Sequence, residues 1–192
     1  MAYHYDTILT YFNDLNIIWC NDDIYFEVYD LGIDRVGDIY GIMKYDTKTK
    51  ECVQIAKEGQ ILGCSYDQKY IAFYDKIKKQ VVIKDKSSEK QIPDTISDPI
   101  FTWIGDTNSF AYINPAEKTL CISSIENGKI VSKKKININD LTADGERIIN
   151  LRCEKEEILF DVVKLKIEDP QYFDTIIYTK TYVVEWWNIN KQ

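Results

Sequence analysis

The sequence predicts an all-β fold made of about four antiparallel four-stranded units, with a short N-terminal helix. The first observation is a repeat: the segment that begins at Cys64 recurs at Trp103 and Leu141, at spacings of 39 and then 38 residues. Repeats of this period are typical of stacked or radially arranged units. The second is composition, because 14 tyrosines and many Ile, Val and Thr favour strands. The third is the set of apolar runs that keep the same offsets: Val81–Ile83, Leu120–Ile122 and Ile158–Phe160.

The second unit shows the pattern most fully. Short apolar runs at 60–65, 70–74 and 80–84 predict three strands, separated by polar turns. A fourth short strand is predicted at 90–92, where Pro93 ends it. Four short antiparallel strands in about 40 residues are the anatomy of one propeller blade.

The remaining units follow the same plan within one predicted domain, 1–192. Asn127-Gly128 between two strands is a strong hairpin indication in the third unit. The first unit is looser, and the last departs from the pattern after Phe160. The approximate bounds of the four units are 16–57, 60–95, 99–136 and 139–190.

An amphipathic helix is predicted ahead of the first unit. Tyr5, Ile8, Leu9 and Phe12 lie at helical spacing, and Asp6 can cap the helix. We expect this helix to pack on the sheet.

The run Ser65–Phe73, followed by a strand that ends in Asp85, resembles blades of WD-repeat and related β-propellers. The turns 45–49 and 126–129 are similar to the turn before a blade's last strand. The resemblance covers about 16–165 and implies a propeller-like fold, either closed as a small ring or open as a twisted stack. The Gly-His and Trp-Asp pairs of WD repeats are absent.

Few residues point to catalysis, and we expect no enzyme activity and no cofactor. The one histidine, His4, lies at the start of the chain, and no phosphate-binding loop or G-x-S-x-G motif occurs. Asp67, Asp106 and Asp144 recur at the repeat spacing. Paired acids could serve a glycosidase, but aspartates that open tight turns are the simpler interpretation.

Cysteine usage and charge favour a cytoplasmic protein without nucleic acid or membrane as a direct partner. Residues 1–6 have no basic region or apolar run of the signal-peptide type, so we expect no signal peptide, and no run of about 18 apolar residues occurs. The net charge of −7 favours cationic partners. The five cysteines predict buried, reduced thiols, without the spacing of a zinc site. They are Cys20, Cys52, Cys64, Cys121 and Cys153.

The candidate partner-binding residues are acidic. In a blade, the connections between the second and third strands share one face, and the repeat assigns 30–38 and 154–157 to such connections. The first and fourth units of a ring are neighbours, so six carboxylates could form one acidic rim. They are Asp30, Asp34, Asp38, Glu154, Glu156 and Glu157.

These features suggest a non-enzymatic interaction module that binds a basic protein. Small acidic proteins of this general character resemble bacterial immunity proteins, which occlude secreted or contact-delivered nuclease toxins. One alternative is a carbohydrate-binding or carbohydrate-active protein, with Trp186 or Trp187 as a sugar platform. Another is a scaffold subunit of a larger complex. A solvated charge run is the plain explanation of the acidic residues.

Overall fold

The computed structural model describes residues 16–30, 38–105, 108–154, 157–164 and 182–185. At 29–30, 38–40 and 182–185 the description is of the backbone. The predicted N-terminal helix lies outside the described residues. Among them the secondary structure is almost entirely β, and no helix is long and apolar enough to cross a membrane.

In the described part of the chain, fourteen strands form four antiparallel sheets in chain order, and each sheet is a meander of neighbouring strands. This confirms the predicted all-β class with propeller-like repeats. The first sheet contains β1 (Ile17–Cys20), β2 (Asp23–Asp30), β3 (Asp38–Asp46) and β4 (Cys52–Ala56). The second contains β5 (Gly59–Cys64), β6 (Tyr70–Asp75) and β7 (Gln80–Asp85). The third contains β8 (Phe101–Ile104), β9 (Ser109–Asn114), β10 (Thr119–Glu126) and β11 (Lys129–Asn137). The fourth contains β12 (Glu146–Glu154), β13 (Glu157–Lys164) and β14 (Tyr182–Glu185).

The chain divides into two compact units. Unit 1 is Met1–Ile61 with Asp75–Ile77, and unit 2 is Leu62–Tyr74 with Lys78–Gln192. The single domain 1–192 stays a prediction.

Two strands that the repeat predicts are not formed as strands in the structure. The predicted fourth strand of the second sheet is reduced to isolated bridges, Lys84 with Gln91 and Val81 with Ile96. The first strand predicted near 139 is absent: Ile138–Asp140 is a short 3-10 helix. The Asn137 side chain caps that helix by accepting a hydrogen bond from the Asn139 amide at 2.9 Å.

The core of unit 2 has two clusters formed by alternating residues of its strands. One includes Leu120, Ile158 and Phe160, and the other includes Val81 and Phe110. All five side chains are almost fully buried. Alternation places every second residue on one face of a sheet, so the apolar runs found in the sequence become these clusters.

The cysteines correct one expectation. Cys20 and Cys64 are disulfide-bonded, whereas Cys52, Cys121 and Cys153 are free thiols. The prediction of buried, reduced thiols is therefore wrong for these two and also for Cys52, which is reduced but exposed, whereas Cys121 is buried and Cys153 is half-buried. Disulfides persist in oxidising compartments, so the cysteines no longer support a cytoplasmic location.

Candidate partner-binding surface

Each predicted acidic loop is closed by a pair of acidic residues in directly opposite register. Asp30 at the end of β2 lies opposite Asp38 at the start of β3, and Glu154 at the end of β12 lies opposite Glu157 at the start of β13. Asp34 and Glu156 lie outside the described residues. The first pair belongs to unit 1 and the second to unit 2.

A third glutamate extends the second pair. Glu157 also lies opposite Glu185 of β14, so Glu154, Glu157 and Glu185 occupy one row across three strands, which we call the glutamate row. Like charges directly opposite each other on a sheet destabilise it by roughly 0.2–1 kcal/mol per pair. A cationic partner would relieve this repulsion. Sequence reasoning missed Glu185 because only the pairing of β13 with β14 brings it to the row.

The negative charge of the glutamate row is only partly neutralised by the described residues around it. The Arg152 Nε lies 3.3 Å from Glu154 Oε1, and its Nη1 lies 2.6 Å from Asp161 Oδ2. The hydrogen bond that Arg152 donates to Asp161, and more weakly the one that it donates to Glu154, raise the pKa of Arg152. Glu157 is exposed and forms no ion pair with any other described residue. Among the described residues, none compensates the charge of Glu157.

Asp161 holds Arg152 in place. Its carboxylate is largely buried, and Oδ2 also accepts a hydrogen bond from Asn150 Nδ2 at 3.2 Å. Within the described structure, the second oxygen, Oδ1, has no hydrogen-bond partner. Arg152 is bound chiefly to this buried acid, so the two charges largely cancel. Arg152 therefore offsets little of the negative charge of the glutamate row.

The position of the 154–157 turn differs from the repeat-based assignment. The turn joins the first two strands of the fourth sheet, and the neighbouring Cys153 contacts the backbone of Gly105 in the β8–β9 turn. The start of β12, at Glu146, lines a cleft together with Lys118 of the β9–β10 turn. The glutamate row thus lies at the opposite end of unit 2 from the β9–β10 turn. The repeat therefore gives no reason for 154–157 to share a face with 30–38, and the six-residue rim stays a prediction.

The recurring aspartates have different roles. Asp67 Oδ1 accepts hydrogen bonds from the Lys69 amide at 3.0 Å and the Ser65 hydroxyl at 2.6 Å, which is the predicted turn role. Asp144 makes no such bond among the described residues, and in its turn Glu146 Oε2 accepts from the Ala143 amide instead. Asp106 lies outside the described residues.

An exposed tryptophan gives unit 1 a second kind of contact surface. On the edge strand β1, Trp19 is 67% exposed and Ile17 is 45% exposed. The Trp19 indole N–H donates to the Asn21 carbonyl at 2.6 Å, which leaves its apolar ring available. Exposed tryptophans often dominate binding energy at interfaces. Sequence reasoning looked instead at Trp186 and Trp187, which lie outside the described residues.

Metal ligands do not cluster in the described part of the chain: no group of three or more His, Cys, Asp or Glu side chains could hold an ion there. His4 lies outside the described residues.

Comparison with known proteins finds only distant similarities among solved structures. No protein-family model and no curated protein matches it. A chain of the mitotic checkpoint complex is 10% identical, with 75% of this chain and 45% of that chain covered and a TM-score of 0.48. TolB from Acinetobacter baumannii is 13% identical, with 80% and 41% covered and a TM-score of 0.42. Kuenenia stuttgartiensis hydrazine synthase is 10% identical, with 88% and 48% covered and a TM-score of 0.41. The chain spans less than half of each of these three structures.

Proposed function

We propose that this protein is a non-enzymatic protein-interaction module that binds a basic protein partner through its acidic hairpin ends. The glutamate row carries the proposal, because it places like charges opposite one another at a cost in stability. Binding surfaces commonly trade stability for function in this way. Opposite charge on the partner would raise the association rate and favour one orientation of binding.

The finer proposal is an immunity or inhibitor protein for a nuclease-like toxin domain. A nuclease active site is cationic because it binds phosphates, so an acidic surface can cover it by matching the charge of the nucleic acid. The net charge of −7 supports this choice of partner. Asp30, Asp34, Asp38, Glu154, Glu156 and Glu157 are the residues proposed for contact.

The location of the protein follows from the same proposal. An immunity protein acts in the cytoplasm of the producing cell, and we retain that location as part of the proposal. The disulfide-bonded Cys20 and Cys64 weigh against it, since cytoplasmic thiols are normally kept reduced. The thiol state of the protein recovered from cells therefore bears on the choice of compartment.

A second candidate, the scaffold subunit, is favoured by the exposed Trp19 and Ile17. An apolar contact of this kind suits a lasting association better than charge steering does. A constitutive co-purifying partner that is lost on Trp19→Ala would favour this candidate over the immunity role.

Co-expression with the product of the neighbouring reading frame tests the immunity role. We expect that frame to encode a basic domain whose expression stops growth, and the wild-type protein to restore growth. The combined change Glu154→Lys, Glu156→Lys and Glu157→Lys should abolish protection without loss of soluble protein, because the first and last of these residues are exposed. A neighbouring frame without a basic toxic domain, or protection by the triple variant equal to wild type, would contradict the immunity role.

A further inference from the structure

Unit 2 contains a cleft at the end opposite the glutamate row. Its volume is about 450 Å³, and it lies between the β9–β10 turn, the start of β8 and the segment that leads into β12. Ligand-binding clefts are typically of this size. Four isoleucines supply the apolar lining: Ile100, Ile113, Ile138 and Ile148.

Backbone hydrogen bonds fix one wall of the cleft. The Ile138 amide donates to the Lys118 carbonyl at 2.9 Å, and the Ile138 carbonyl accepts from the Thr142 hydroxyl at 3.1 Å. The segment after β11 is thereby tied to the β9–β10 turn. A wall fixed before binding lowers the entropy cost of taking up a ligand.

Two of the cleft's acids are engaged with backbone amides. Asp98 Oδ1 accepts from the Ile100 amide at 2.9 Å, and Glu146 Oε2 accepts from the Ala143 amide at 2.8 Å. These bonds fix the backbone of two segments that line the cleft, 98–100 and 143–146. Both acids therefore contribute to the shape of the cleft.

The cations of the cleft are unpaired. Lys118 and Arg147 are exposed, and no described residue forms an ion pair or a side-chain hydrogen bond with either of them. By contrast, Lys135 of β11 is bound to Glu117, the neighbour of Lys118 in the β9–β10 turn, at 2.7 Å. The lining of the cleft is mixed, with polar and apolar surface in similar amounts. In a protein with 31 acidic and 24 basic residues, two cations without a described partner beside the four isoleucines favour a ligand that has both an anionic and an apolar group.

Asp144 narrows the choice of ligand. It also lines the cleft, is exposed and has no described hydrogen-bond partner, so a fitting ligand should supply an N–H donor as well as an anion. The carboxyl end of a peptide has both groups, since its last amides are donors. A simple organic acid has only the anion.

We propose that this cleft binds the free carboxyl end of a peptide chain whose last side chains are apolar. Lys118 and Arg147 bind the terminal carboxylate, the isoleucines receive the apolar side chain, and Asp144 accepts from a peptide amide. The site is independent of the proposed immunity role, because it lies at the other end of unit 2 and takes a ligand of opposite charge.

The test measures calorimetric binding of an acetylated pentapeptide that ends in Ile-Val, with a free carboxyl end or as its amide. We expect the free acid to bind wild type at least about 10-fold more tightly than the amide, since only the acid forms charge-assisted bonds. The double variant Lys118→Gln with Arg147→Gln should also bind the free-acid peptide at least about 10-fold more weakly than wild type does. The matched control, Lys129→Gln with Lys134→Gln, removes the same charge from exposed positions outside the cleft and should leave binding within about 2-fold.

Three results would each overturn the proposal. They are no binding of the acid at millimolar concentration, equal binding of acid and amide to wild type, and equal weakening by the two double variants. The comparison of acid with amide uses wild type alone, so it decides the question even if a variant fails to fold.

Discussion

Replacing Phe110 by alanine is expected to lower the free energy of unfolding by about 3–5 kcal/mol. Phe110 is fully buried, its ring stacks on Phe101 with centroids 5.2 Å apart, and Trp103 meets it edge-on at 5.7 Å. The Trp103 indole in turn donates to the Gly63 carbonyl at 3.0 Å. Alanine would remove the ring that joins these aromatic side chains and leave a cavity.

Urea unfolding followed by tryptophan fluorescence measures this effect. Tyr66→Ala is the matched control because Tyr66 is an aromatic residue of the same unit that is 70% exposed, and its loss should change stability by no more than about 0.5 kcal/mol. A loss below about 1 kcal/mol for Phe110→Ala would show that the aromatic cluster does not stabilise unit 2 as its burial indicates.

Replacing Glu27 by alanine is expected to cost about 2–4 kcal/mol, because it removes a buried acceptor. Glu27 is 3% exposed, and its Oε1 accepts from the Ile61 amide at 2.7 Å and from Asn16 Nδ2 at 3.1 Å. Asn16 Nδ2 also donates to the Ile61 carbonyl at 2.9 Å. The carboxylate therefore ties the start of β1 and of β5 to β2 within unit 1.

Two further variants separate the hydrogen bond from general effects of the substitution. Glu27→Gln retains an oxygen acceptor and should cost less than Glu27→Ala. Glu51→Ala removes an exposed glutamate of the same unit and should be nearly neutral. Equal stability of Glu27→Ala and Glu51→Ala in the same unfolding experiment would refute the role given to Glu27.

The strands of the second sheet could be read from the sequence almost to the residue. The predicted strands 70–74 and 80–84 are Tyr70–Asp75 and Gln80–Asp85 in the structure. Their boundaries follow from local chemistry: alternation marks each strand, and Asp67 and Asp85 accept hydrogen bonds from the backbone of the turns that they open. Such bonds join residues only two or three apart, so the sequence contains the whole interaction.

The candidate surface depends on pairing between strands that are far apart in the chain. The apolar spacing around Ile158 is the same whether 154–157 joins the first two strands of a sheet or the next two. The row at Glu157 is set by pairing with β14, and the exposure of Trp19 is set by its place on an edge strand. These are properties of sheet order, which a local pattern does not determine.

Association of a fluorescent arginine-rich peptide at low salt tests most directly whether the glutamate row binds a cationic partner. Two variants with the same net charge are compared: Glu157→Lys with Glu185→Lys in the row, and Glu51→Lys with Glu58→Lys at exposed positions of unit 1. We expect the row variant to slow association by about 10-fold or more, the control to slow it by less than about 2-fold, and high salt to remove the difference. Equal slowing by both variants would contradict the account, because net charge alone would then explain the binding.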